Sequence, residues 1–249
     1  LDQPGLTREA VAHMRLFISG SAPLTAETHK AFSERTGMAI LERYGMTETG
    51  MNTSNPLDGE RIAGTVGFPL PGVELRITDP SQSEPAPLPQ GEPGMIEVRG
   101  PNVFQGYWRM PEKTAEELRA DGYFMTGDIG FIDDKGYVQI VGRMKDMIIS
   151  GGFNVYPKEL EEILDALPGV VESAVIGVPH PDFGEGVTAV LVASQGQAPS
   201  EAQVLAALDG KLARFKQPKR VMVVDALPRN VMGKVQKNVL REQFKALYS

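Results

Sequence analysis

The residues with the most chemistry in a short span are Glu42-Arg43-Tyr44-Gly45-Met46-Thr47-Glu48-Thr49. An aromatic ring, a glycine, a hydroxyl and a carboxylate stand within a few positions of one another. That assortment suits a nucleotide: Tyr44 offers a face to a base, and Gly45 lets the backbone approach closely. Thr47 can donate to a phosphate oxygen, and Glu48 offers hard oxygen to a magnesium ion that also touches the phosphates. The same residues would also make an ordinary strand-to-turn corner with a capping threonine and a solvated glutamate.

Three downstream stretches suit the same ligand. Thr126-Gly127-Asp128 sets a carboxylate at a strand end, where it could accept both hydroxyls of a ribose; an Asp beside Gly is also plain turn chemistry. Ser150-Gly151-Gly152-Phe153-Asn154 leaves the backbone bare for a long thin substituent to slide past, with a bulge or turn as the simpler use. Pro228-Arg229-Asn230-Val231-Met232-Gly233-Lys234 reads as a flexible cationic loop that presents Lys234 just ahead of a helix. A helix dipole opposes a cation there, which favours a function for Lys234 over a structural role.

These groups need a scaffold, and the chain supplies its signals in order. Met14 to Ser19 reads as a short buried strand, Gly20-Ser21-Ala22-Pro23 as a small-residue turn, and Thr25 to Gly37 as a capped helix. Strand, tight loop, helix and strand make a βαβ unit, with ligands at the strand C-terminal ends. Ser19 to Pro23 and Tyr44 to Thr49 then share one crevice. From Arg61 to Gly142 the pattern alternates with period two, over 73–78, 95–99 and 137–141, with Asp133 to Gly136 as a hairpin turn. This predicts a small antiparallel barrel or sheet, with Ser81 to Pro93 as a long surface loop.

The domain boundary falls at Gly142-Arg143-Met144-Lys145-Asp146, giving domains 1–143 and 144–249. The second is a compact α+β unit. Its helices carry Leu160, Ile163, Leu164 and Leu167 (from Pro157 to Gly169), then Val204, Leu205, Leu208 and Leu212 (after a Ser200–Gln203 capping box), then Val239, Leu240, Phe244 and Leu247. The fold class is therefore α/β: the end of a parallel-sheet subdomain plus an antiparallel β-barrel subdomain, followed by a small α+β C-terminal domain.

Composition excludes several classes. The 249 residues carry a net charge of −7 with no long basic run, which argues against nucleic acid and an anionic membrane as partners. With no cysteine there is neither a disulfide framework nor a thiolate metal site, in keeping with a cytoplasmic location. His13, His29 and His180 lack metal-ligand spacing. No run approaches a membrane span, the start is not a signal peptide, and an opening on Leu1 suggests a fragment.

The set Ser19 to Leu24, Tyr44 to Thr49, Gly91 to Tyr107, Tyr123 to Asp128, Gly142-Arg143, Ser150 to Gly152 and Pro228 to Lys237 resembles the adenylate-forming superfamily of acyl-coenzyme A synthetases, luciferases and peptide-synthetase adenylation domains. The motifs follow the family's order and span nearly the whole chain. The resemblance implies a large AMP-binding domain ending near Gly142 and a mobile C-terminal lid. It also implies a Ser/Thr/Gly-rich phosphate loop upstream of these residues, so that the chain corresponds to the C-terminal half.

Carried over by residue, the resemblance puts Gly20, Ser21, Ala22 and Pro23 along the adenine and acyl group, and Tyr44 on the adenine. Arg43, Gly45 and Met46 stand beside it in the nucleotide site. Thr47 contacts the α-phosphate, Glu48 holds Mg2+, Asp128 and Arg143 grip the ribose, and Ser150, Gly151 and Gly152 meet the cofactor. Lys145 is the hinge and Lys234 the catalytic lysine, a known type of site for a regulatory acetyltransferase and deacetylase. ATP, Mg2+ and coenzyme A are the implied cofactors and a small carboxylic acid the substrate.

Gly142 to Pro157 looks more like the coenzyme A ligases than the peptide-synthetase domains. Tyr44 to Pro56, followed by Arg61 to Gly67, is similar to malonyl-coenzyme A synthetases. In that reading Arg61 holds the distal carboxylate of malonate or methylmalonate. Two alternatives stand beside it: a medium-chain or aryl ligase in which Arg61 supports its loop, and a fragment inactive by itself.

Overall fold

Parallel pairing of β1 (Ile18–Ser19) with β2 (Leu41–Met46), joined through helix α1 (Ala26–Thr36), builds the βαβ unit. The computed structural model describes every residue except Pro23, Ser83, Glu84, Gln195 and Met232. Both ends of α1 follow the sequence signals. Thr28 donates its N–H to the Thr25 hydroxyl at 3.2 Å, and Gly37 takes a left-handed φ of 72° while donating to Ser33 O. Strand β1 is shorter than the apolar run: its register with β2 covers only Ile18 and Ser19, opposite Leu41 and Glu42, and Phe17 O accepts the Leu41 N–H at 2.8 Å just ahead of it. Met14 and Ile18 are exposed, not core.

From β2 the chain turns straight back into β3 (Gly50–Ser54), which pairs antiparallel with β4 (Phe68–Pro69). The Glu42–Thr49 stretch is thus the end of one strand and the hairpin turn into the next. The hairpin is so close that a Cβ at Gly45 would lie 2.1 Å from Gly50 O, which restricts the position to glycine.

Four strands follow in the order β5 (Glu74–Thr78), β6 (Gly94–Arg99), β7 (Phe124–Ile132) and β8 (Val138–Arg143). They form an open antiparallel sheet, and no closed barrel forms among the described residues. Asp133 accepts the Gly136 N–H at 3.0 Å in the predicted turn between β7 and β8. One face contributes Ile77, Ile96, Val98, Phe124 and Val138 to a core that also contains Tyr44. On β6 the fully buried Glu97 accepts from Arg76 Nε at 2.8 Å, the Thr78 hydroxyl at 2.9 Å and Arg119 Nε at 2.7 Å. Two arginines and a hydroxyl satisfy the charge that burial would otherwise penalise. Helix α2 (Pro111–Glu117) begins on proline.

The chain divides into two compact units, Leu1–Ile140 and Val141–Ser249. In the second, β9 (Ile148–Ser150), β10 (Phe153–Val155), α3 (Pro157–Asp165), β11 (Val170–His180), β12 (Gly184–Ala193), α4 (Glu201–Leu208), β13 (Arg220–Val224) and α5 (Lys237–Phe244) follow in sequence. The sheet order is β10-β9-β12-β11, with β13 parallel to β12. Alternating residues of β11 and β12 face two cores. Val175, Val187, Ala189 and Leu191 meet α3 and α4; Ala174, Ile176, Val178 and Val190 meet Leu240 of α5.

The Ser200–Gln203 capping box forms as expected. Helix α3 stops at Asp165 instead of Gly169, because Pro168 disfavours helical backbone at Leu167. Helix α4 stops at Leu208, before Leu212. Val239 is 41% exposed, and Val235 packs against the α5 core in its place.

Candidate active site

The C-terminal ends of β1 and β2 place the first expected residues side by side. Gly20 lies against Arg43, where a Cβ would stand 3.4 Å from Arg43 O. Ser21 has a left-handed φ of 69°, an uncommon conformation for a residue with a side chain and one that concentrates at functional sites. Ala22 is exposed beside it, and Pro23 lies outside the described residues.

Asp128 does not close a strand, as its sequence suggested, but lies within β7. The pairing of β6 with β7 slips between Met95 and Glu97, and Gly127 takes a φ of 72°. This is a bulge, which re-aims a side chain from within a sheet. Thr126 fixes the bulge by donating its hydroxyl to Ile96 O at 2.8 Å and accepting the Asp128 N–H at 3.1 Å. The Tyr44 hydroxyl then donates to Asp128 Oδ2 at 2.6 Å, joining residues 84 positions apart. Tyr44 is only 8% exposed, so its ring is largely a core group and its hydroxyl an anchor for the carboxylate.

Thr47 is exposed on the hairpin turn and Glu48 half-buried beside it. Phe104 donates its N–H to Glu48 O at 2.8 Å, which fixes the turn. The Tyr107 hydroxyl lies 3.1 Å from Glu48 Oε1 and 2.7 Å from Glu117 Oε2, and Lys113 pairs with Glu117. Burial and then these two carboxylates push the Tyr107 phenol well above its ordinary pKa. Burial acts to raise Glu117, but Lys113 and Tyr107 outweigh it and hold the carboxyl below its usual range. Sequence reasoning missed the roles of Tyr107 and Glu117, although Tyr107 closes one of the motifs it used.

Glu48 fits a magnesium ion by chemistry, as an oriented hard-oxygen donor. Among the described residues no group of three or more acidic or histidine side chains could hold a metal. An ion here would take its remaining ligands from phosphate and water, as Mg2+ commonly does.

Arg61 is already engaged. Its Nε donates to Pro56 O at 3.0 Å, Nη1 to Ala39 O at 2.8 Å and Nη2 to Leu57 O at 2.8 Å. This guanidinium braces the loop after β3 instead of standing ready as a substrate-facing charge. Asn55, 2% exposed, holds the same loop by donating to Thr65 O at 2.8 Å.

In the second unit Arg143 ends β8 on the surface. Lys145 is exposed within a single 3-10 turn, Met144–Asp146. Arg241 of α5 braces that turn, donating to Lys145 O at 3.3 Å and Asp146 Oδ1 at 2.6 Å. Ser150 is buried, and Gly151 and Gly152 form the two-residue turn between β9 and β10 with φ of 59° and 82°. Left-handed backbone at both positions is what such a hairpin requires, and glycine supplies it. Phe153 follows, half exposed and stacked on Phe215 at 4.5 Å.

Lys234 is exposed, and its ammonium makes no ion pair among the described residues. Its neighbours are tied. Asn230 Oδ1 accepts the Lys234 N–H at 3.0 Å, and Lys237 pairs with Glu161 at 2.7 Å. Met232 lies outside the described residues.

Comparison with known proteins shows the family. Residues 1–108 match the model of the AMP-binding enzyme family and residues 159–234 that of the AMP-binding enzyme C-terminal domain. The chain is 66% identical to ATP-bound MatB from Rhodopseudomonas palustris with a TM-score of 0.95, over 100% of this chain and 49% of that one. It is 44% identical to a methyl-dioxo-octahydroindenyl propanoyl:CoA ligase of Rhodococcus jostii, over 98% of this chain and 46% of the relative. It is 40% identical to a malonate–CoA ligase of Arabidopsis thaliana, over 94% of this chain and 39% of the relative. The chain thus spans less than half the length of these curated relatives. Among the described residues no helix is long and apolar enough to cross a membrane. With both family segments in order and a solved structure matched at 66% identity, the chain belongs to the adenylate-forming superfamily of AMP-binding enzymes and corresponds to its C-terminal portion.

Proposed function

We propose that this chain supplies part of the nucleotide site and the C-terminal lid domain of an ATP-dependent acyl-coenzyme A synthetase acting on malonate or methylmalonate. The observation that carries the nucleotide assignment is the Tyr44–Asp128 bond, which aims a bulge-borne carboxylate from inside a sheet. Asp128 accepts from the ribose hydroxyls, joined by Arg143. Thr47, exposed on its turn, donates to the α-phosphate, and Glu48 contributes hard oxygen to Mg2+. When bound, that ion neutralises phosphate charge.

The reaction has two halves. A carboxylate oxygen attacks the α-phosphorus of ATP, and the bond from that phosphorus to pyrophosphate breaks. Two anions meet in this step, so a further cation is needed, and Lys234 supplies it. The coenzyme A sulfur then attacks the acyl carbon, the carbon–oxygen bond to AMP breaks, and the thiol proton passes to solvent. Lys234 has no part in this second half. Because its ammonium is exposed and has no ion-pair partner among the described residues, it is open to an acetyltransferase and a deacetylase, and acetylation removes the charge. We place the enzyme in the cytoplasm.

Support for malonate comes from the likeness to the malonate–CoA ligase and from the Tyr44–Pro56 and Arg61–Gly67 stretches. Similar identity to the Rhodococcus ligase, whose acid is bulky, and the occupied guanidinium of Arg61 favour a second reading with a larger monocarboxylic acid. AMP release that depends on coenzyme A, measured in the full-length enzyme across a panel of acids, decides between them. Malonate and methylmalonate should give the highest kcat/KM. Preference for an aryl or medium-chain acid would replace the dicarboxylate assignment, and no release with any acid would remove the synthetase assignment itself.

A further inference from the structure

The loop before α5 reads from sequence as supple, and its hydrogen bonds make it otherwise. Gln236 donates its N–H to Pro228 O at 2.7 Å, Asn230 to Lys234 O at 3.0 Å and Gly233 to Asn230 O at 2.9 Å. The segment therefore closes on itself, with Arg229 and Val235 in an antiparallel bridge. Arg229 reaches two partners at once. Its Nη1 donates to Gly233 O at 2.6 Å, and its Nη2 pairs with the Glu172 carboxylate on β11. One guanidinium thus ties the carbonyl immediately before Lys234 to a strand of the sheet.

We propose that Arg229, held by Glu172, is a positioning residue that fixes the backbone from which Lys234 projects and so governs adenylate formation. This rests on the assignment of Lys234 to that half-reaction. Three cations lie between Pro228 and Lys237, and two of them have carboxylate partners: Arg229 on Glu172 and Lys237 on Glu161. Glu161 also accepts the Val175 N–H at 2.7 Å, so the start of α5 is tied to β11 as well. Lys234 stands between two anchored points, and its own ammonium has no ion-pair partner among the described residues. The backbone fixes the point from which its flexible stem departs.

The Arg229–Glu172 pair is poorly suited to a role in overall stability. Both side chains are partly exposed, 44% and 28%, and such pairs contribute little. The geometry instead uses what separates arginine from lysine: donors on two nitrogens that reach a carbonyl and a carboxylate together. A lysine at position 229 would serve one partner at a time. Misplacement of a reacting group by about 1 Å costs on the order of 10²-fold in rate.

The test uses the full-length enzyme with Arg229→Ala, Arg229→Lys, Glu172→Gln, Lys234→Ala and the Arg229→Ala/Lys234→Ala double variant. Acid-dependent ATP–pyrophosphate exchange, thioester formation from supplied acyl-AMP, and hydrogen exchange at the Gly233 and Lys234 amides are read in each. Arg229→Ala should slow adenylation about tenfold or more through kcat, leave thioester formation intact and speed amide exchange. It should add nothing to Lys234→Ala, and Arg229→Lys should not restore the rate. Unchanged amide exchange in Arg229→Ala overturns the positioning role whatever the activity does. Faster exchange with full adenylation, where Lys234→Ala is slow, overturns it too. Full adenylation in Lys234→Ala itself overturns the assignment of Lys234, and the positioning role with it.

Discussion

Tyr44→Phe separates two uses of one side chain. The substitution keeps the ring, which packs in the core with Ile96, Val98 and Phe124, and deletes only the hydroxyl that donates to Asp128 at 2.6 Å. That length is typical of a charge-assisted bond to a carboxylate. A hydrogen bond to a charged group contributes about 1.5–3 kcal/mol, and about 1.4 kcal/mol corresponds to a factor of ten. Asp128 keeps its bulge and its Thr126 contact, so the lower end applies and ATP affinity should fall about tenfold. Calorimetric titration of ATP into the full-length enzyme reads this directly. If Tyr44 acted only by stacking on adenine, phenylalanine would serve as well. Binding unchanged within about twofold would therefore refute the claim that the hydroxyl orients the ribose-binding carboxylate.

Other perturbations address the scaffold and the specificity. Glu97→Ala leaves Arg76 and Arg119, only 15% and 17% exposed, without their shared carboxylate. It should cost about 3–5 kcal/mol in denaturant unfolding of the chain, and a loss below about 1 kcal/mol would show the network to be dispensable. Arg61→Ala removes three donors to backbone carbonyls. In the full-length enzyme it should lower kcat/KM for malonate and for a monocarboxylate alike, whereas a loss confined to malonate would restore Arg61 to substrate binding. Lys145→Pro fixes φ in the 3-10 turn and should spare adenylation while blocking thioester formation in the full-length enzyme, and survival of both half-reactions would remove Lys145 as the hinge.

Local signals were legible wherever the backbone itself sets the rule. Thr25, Gly37, Ser200 and Pro157 act at helix ends through bonds a few residues long, and a sequence displays those directly. The Gly151-Gly152 pair was readable as a turn for the same reason. Long-range partners were not. Nothing near Tyr44 announces Asp128, because a slip in strand register decides which way the carboxylate points. The arginine at position 61 looks like a free charge until the carbonyls of Ala39, Pro56 and Leu57 converge on it. No signal near Lys237 announces its Glu161 partner, which comes from another helix. Strand β1 was overcalled because an apolar run does not reveal how many of its residues find a neighbour.

Isotope exchange between pyrophosphate and ATP, driven by acid in the absence of coenzyme A, tests the central claim most directly. It reports the reversible first half-reaction by itself, before any thiol is present. The full-length enzyme should exchange label with malonate or methylmalonate and not without acid, and Lys234→Ala should lower the rate by roughly 10²-fold. Failure of every acid to support exchange, or release of ADP and phosphate in place of pyrophosphate, would contradict adenylate formation.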